Sequence, residues 1–131
     1  MFFWKKNRRY ERRYEVFWDA LLDVRFPDFH TQMPVKVTNF SNFGALLQAE
    51  EIFLNKHHLI DARQRPELKL KTFLPEGIFE TKINICWYTW SVEKIAFEIG
   101  IQFKDMFKEE IMIVDQVISR LHEQSRHISI S

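Results

Sequence analysis

The densest chemical signal in the chain is Arg8-Arg9-Tyr10-Glu11-Arg12-Arg13, which contains Arg-x-x-x-Arg twice, as Arg8/Arg12 and Arg9/Arg13. A guanidinium is a planar fork of donors that matches phosphate oxygens, and the same fork fits O6 and N7 of guanine. Several arginines on one short segment can therefore grip both the phosphates and the base edges of a guanine dinucleotide. The second candidate is Asn39-Phe40-Ser41-Asn42-Phe43-Gly44. Asn and Ser bond nearby backbone in turns and Gly accepts positive φ, so these residues suit a tight loop that offers polar groups. Each motif taken alone has a plainer reading, a solvated basic tail for the first and a structural turn for the second.

The charge distribution favours a local anion site. From Lys5 to Arg13 there are six basic residues and one acid, Glu11, a net +5. Because the whole chain carries +1, the remainder sums to −4. A general nucleic-acid binder usually spreads positive charge over a face, whereas here it is confined to one spot.

The elements that must position these residues are mostly strands. Tyr14, Val16, Trp18, Ala20, Leu22 and Val24 fall on one face of a first strand, with Glu15, Asp19, Asp23 and Arg25 on the other, until Pro27. Val35 and Val37 form a short second strand leading into the 39–44 turn; a third strand spans 45–54 and a polar loop spans 55–66. Leu68, Leu70 and Thr72 mark a fourth strand, stopped by Pro75-Glu76-Gly77. Phe79, Thr81, Ile83, Ile85 and Trp87 share one face of a fifth; Ile95, Phe97, Ile99, Ile101 and Phe103 share one face of a sixth. Such period-two patterns mark half-buried strands. The period then lengthens: Phe107, Ile111, Val114, Ile118 and Leu121 form a helical stripe over 105–125.

Six strands without intervening helices predict a mainly β fold, a six-stranded antiparallel barrel with a C-terminal α-helix, because closure removes exposed edges. At 131 residues, 46% of them apolar, the expected organisation is one domain: a mobile arginine segment over 1–13, a barrel over 14–103, then the helix. The many aromatic residues are expected to fill the barrel core, with Phe2, Phe3 and Trp4 packing back on it.

In order and spacing, Arg8, Arg9 and Arg13, then Asn39, Ser41 and Gly44, resemble the signature of the PilZ family, Arg-Arg-x-x-x-Arg followed after one strand by Asp/Asn-x-Ser-x-x-Gly. Gly100-Ile101-Gln102-Phe103 is similar to the Gly-hydrophobic-x-Phe run that often ends the family's split-barrel-type fold. The resemblance covers about residues 8 to 105. It implies a bacterial cyclic di-GMP receptor or adaptor that changes conformation on binding and signals to a partner protein. Arg9 and Arg13 would make the main contacts, with Arg8 assisting. Asn39 and Ser41 would present polar atoms to guanine, and Gly44 would permit the turn. Arg12 is an additional arginine, so the register Arg8/Arg12 stays open.

Two other readings compete: a PilZ-like protein-interaction module without the dinucleotide, and a small single-stranded nucleic-acid barrel. Acids such as Glu80, Glu93 and Glu98 on the outward faces weigh against the second. No catalytic constellation is visible, so no enzyme activity is expected. No cofactor is expected either. His57-His58 has only Asp61 near it and does not make a metal site, and Cys86 has no partner for nucleophilic chemistry. Lys5 and Lys6 follow the apolar start, the reverse of a signal peptide, and no stretch is long and apolar enough to span a membrane. Those features, with a single cysteine, predict a cytoplasmic protein, monomeric or homodimeric.

Overall fold

The computed structural model describes residues 12–54, 57–59 and 65–130. Among these residues eight strands and one helix follow one another: β1 (Tyr14–Phe26), β2 (Phe29–Phe40), β3 (Gly44–Ala49), β4 (Phe53–Leu54), β5 (His57–His58), β6 (Glu67–Leu74), β7 (Gly77–Ser91), β8 (Ala96–Lys104) and α1 (Lys108–Ile130). Six of the strands close an antiparallel barrel in the order β1-β2-β3-β8-β7-β6, with β1 pairing back onto β6 from Leu21↔Lys71 to Arg25↔Glu67. The expected architecture, six barrel strands and a C-terminal helix, is what the chain adopts.

Alternation explains most of the barrel. Leu22 and Val24 of β1, Val35 and Val37 of β2, Leu47 of β3, Leu70 of β6, Phe79 of β7, and Ile99 and Ile101 of β8 are all buried inside. Pro27, with its fixed φ, and Asp28 form the turn that lets Phe26 pair with Phe29. Gly77, at φ +140, follows Pro75-Glu76 and starts β7.

Several boundaries differ from the sequence pattern. β2 is twelve residues long rather than a short piece around Val35 and Val37. Its first half is held by β1 and meets β3 only from Lys36 onward, so Pro34 costs no central ladder. The expected third strand ends at Ala49, and Phe53–Leu54 pairs instead with His57–His58 inside the expected loop. Ile95, assigned to the sixth strand, is exposed at φ 52 in the β7–β8 turn, and β8 starts one residue later at Ala96.

The helix also turns differently. Its N-terminus is satisfied by Glu110, whose Oε1 accepts the Phe107 N–H at 3.2 Å. Phe107 thus precedes the helix, and both it and Ile111 remain exposed; Val114, Val117 and Leu121 form the buried seam at spacings of three and four. The left-handed turn at Asp105, φ 51, sets this rotation as the chain leaves β8.

Arg120 fixes α1 to the barrel. Its Nε and Nη2 donate to the two carboxylate oxygens of Glu76 in the β6–β7 turn, at 2.6 and 3.2 Å. The hydrogen bond from Arg120 holds the Glu76 carboxyl below the usual carboxylate range, against an opposing push from burial. A depressed folded-state value means that this stabilisation is present above the unfolded carboxylate value and fades as pH falls through the folded one. Arg120→Ala is therefore expected to lower stability at neutral pH by on the order of 1–2 kcal/mol and to have little effect at about pH 2, read from thermal melts at both pH values.

Candidate ligand-binding site

The two motifs meet because β1 and β2 form one hairpin. Tyr14 pairs with Phe40 and Glu15 with Asn39, which brings the residue before β1 beside the end of β2. Arg13, half-buried, donates from Nη1 to Asn39 Oδ1 at 3.2 Å. The structure therefore joins Arg13 of the first motif to Asn39 of the second.

Arg12 takes a different path. Its Nη2 donates to Ser125 Oγ at 3.3 Å, and its guanidinium lies 5.2 Å from the centroid of the Tyr14 ring. The Tyr14 hydroxyl in turn lies 3.3 Å from His122 Nδ1. Arg12, Arg13, Tyr14 and Glu15 face Leu121, Gln124 and Ser125 across an open cleft of about 400 Å³. Arg8 and Arg9, like Phe2, Phe3 and Trp4, lie outside the described residues.

Ser41 and Gly44 occupy the turn in ways the sequence did not reveal. Ser41, whose hydroxyl the motif resemblance offers to a base, is fully buried in the loop. Its Oγ accepts the N–H groups of Phe43 and Gly44 and donates to the Gly44 carbonyl, each at 3.2 Å. The hydroxyl thus holds the loop that sets Asn39. Gly44 is not at positive φ; it is buried, opens β3 opposite Gln102, and has its N–H held by Ser41 Oγ.

Beside Asn39 runs an outward-facing row across four strands: Asn39, Leu46, Gly100 and Trp87, each paired to the next. The alternation of β7 predicted Trp87 inside. A bulge between Ile85 and Trp87 shifts the register by one residue and turns the indole outward. It lies across Gly100, where an added Cβ would fall 2.3 Å from the indole Nε1. At about 4.8 Å per strand, Gly100 is about 10 Å from Asn39. An aromatic plane at that range can stack a base, a role no local pattern signalled. Glu15, opposite Asn39, is the other residue the motif reading passed over.

Burial pushes the Cys86 thiol up, partly opposed by the positive Arg13, so it remains a neutral thiol beside the site. A larger hollow of about 500 Å³ lies elsewhere, lined by residues that include Phe17, Pro34, Lys36 and Phe73 and by none of the motif residues. Among the described residues, no group of three His, Cys, Asp or Glu side chains could hold a metal ion, and no helix is long and apolar enough to cross a membrane.

No protein-family model matches the sequence, and no curated protein matches it. Solved structures do match. The PilZ domain of YcgR from Escherichia coli, solved with c-di-GMP, superposes with a TM-score of 0.62 over 95% of this chain and 98% of that one, at 10% identity. The fold is that of the PilZ domain. The Bacillus subtilis inhibitor of motility MotI/DgrA gives a TM-score of 0.66 at 14% identity, over 89% of this chain and 52% of that one. The complex of K. pneumonia MrkH with c-di-GMP gives 0.64 at 14% identity, over 91% and 53%. Against these last two PilZ-fold proteins the present chain spans about half the length.

Proposed function

We propose that this chain is a cyclic di-GMP receptor that binds the dinucleotide on the outer face of its PilZ barrel, between the arginine segment and the end of β2. The hydrogen bond between Arg13 and Asn39 carries this reading, since it unites the phosphate-binding and base-binding chemistry at one place on the fold. Two neighbours of the same fold were solved with c-di-GMP, which supports the choice of ligand.

In this reading Arg9 and Arg13 grip phosphates and the O6/N7 edge of guanine, with Arg8 assisting, and Asn39 offers its amide to the base. Ser41 and Gly44 hold the loop, and Trp87 supplies a stacking plane. Arg12 has a second task. Drawing its guanidinium onto a phosphate breaks its bond to Ser125, so occupancy of the site is felt at the end of α1. The segment over 1–13 closes over the ligand, and the altered helix and segment are what a downstream protein reads. The protein works as a cytoplasmic adaptor and not as an enzyme.

Calorimetric titration with cyclic di-GMP, GTP and a short single-stranded oligonucleotide tests the reading. Heat with the dinucleotide alone is the expected result. No heat with cyclic di-GMP at tens of micromolar protein, a concentration that reveals affinities of about −6 to −8 kcal/mol, overturns it.

A further inference from the structure

Glu15 places a carboxylate where an anion site has reason to exclude one. It stands directly opposite Asn39 on the outward face of the β1–β2 ladder, and side chains so paired have Cβ atoms about 5 Å apart. It lines the same cleft as Arg12 and Arg13. Its side chain is exposed, and among the described residues it makes no ion pair or hydrogen bond.

A phosphate gains nothing from this group and is repelled by it. Guanine differs: O6 and N7 accept, but the Watson–Crick edge carries two donors, N1–H and the N2 amino group. The other polar groups closest to Glu15 are poor matches for those donors. Arg12 and Arg13 have no acceptor atom, and the Asn39 oxygen has one of its two lone pairs taken by Arg13 Nη1, so it can meet at most one of the two donors. They serve phosphate oxygens and O6/N7, and an acceptor is still required for N1–H and N2–H. Among the described residues that line the cleft Glu15 is the one carboxylate, and two parallel oxygens suit two adjacent donors. Adenine has an acceptor at N1, which would face the carboxylate lone pairs.

We infer that Glu15 reads the Watson–Crick edge of guanine and thereby selects cyclic di-GMP over adenine dinucleotides. This rests on the cyclic di-GMP reading above and adds a specificity residue to it.

The test is a set of titrations with cyclic di-GMP, cyclic di-AMP and cyclic di-IMP, whose hypoxanthine lacks only the N2 amino group, against wild type and Glu15→Ala. The expected result is that Glu15→Ala weakens cyclic di-GMP by about tenfold or more, as loss of a bidentate base contact does. Cyclic di-AMP should bind the variant at least as well as wild type does. The wild-type preference for cyclic di-GMP over cyclic di-IMP should shrink in the variant, the non-additivity expected when two changes remove one contact. An uninvolved carboxylate gives the opposite sign, with all three ligands binding the variant more tightly by a common factor; that outcome overturns the inference and leaves the receptor reading intact. A wild-type protein that binds none of the three overturns the receptor reading itself.

Discussion

Arg13→Ala is expected to weaken cyclic di-GMP binding by about ten- to a hundredfold, the loss that follows when a charged hydrogen-bonding fork is removed from an anion. Two features make Arg13 the most informative of the arginines. It directly precedes β1, whose pairing in the barrel begins at Tyr14, and its guanidinium is already aligned by Asn39. Alignment before binding lowers the ordering cost that a long flexible side chain otherwise meets on capture of a ligand. Arg13→Lys should recover only part of the loss, because it restores the charge and not the fork. The free protein should melt within a few degrees of wild type, since the bond to Asn39 contributes about 1 kcal/mol. Calorimetry and a thermal melt on the same samples check both statements. A melting temperature lowered as far as that of a core variant would assign Arg13 to the fold instead of the site.

Phe40→Ala should have the largest effect on stability, about 3–5 kcal/mol, from lost burial and the cavity left behind. Phe40 is 1% exposed, and its ring lies 5.2 Å from Trp18, 6.0 Å from Phe79 and 5.5 Å from Phe103, centroid to centroid. It therefore ties together β1, β2, β7 and β8. It is also flanked by Asn39 and Ser41, so the same side chain anchors the loop on which the site depends. Urea denaturation should show the midpoint falling at nearly constant slope. Ligand affinity should fall with it even under conditions where the variant is folded, because Asn39 loses its fixed base. Phe40→Leu should restore much of the stability, since a smaller cavity remains. A stable Phe40→Ala protein with unaltered binding would show that the loop is held by the Ser41 hydrogen bonds alone.

The motif pair and the strand order were legible because they depend on local rules. Leu22 and Val24, Leu68 and Leu70, and Ile99 and Ile101 alternate with polar neighbours, and period-two burial follows from strand geometry whatever lies alongside. Pro27 and Pro75-Glu76-Gly77 fix turns through their own backbone limits. The charge of the arginine segment is likewise a property of the residues alone.

What the sequence by itself could not determine is where those local rules are interrupted. Register shifts fall between Glu15 and Trp18, between Val37 and Asn39, and between Ile85 and Trp87, each beside the candidate site. A bulge is a property of two strands paired together, so neither sequence alone displays it, yet a one-residue shift reverses every side chain beyond it. That is why Trp87 emerges on the outer face in the row with Asn39, and why Phe40 points inward although Val37 does too. Pairing across β1 and β2 also decided that Glu15 and Asn39 are neighbours and that Arg13 meets Asn39. The barrel also buried Ser41, with its Oγ bonded within the loop, and the rotation of α1 left Phe107 and Ile111 outside. The sequence determined which residues could recognise a guanine dinucleotide; only the barrel, by setting register and face, decided which of them stand together.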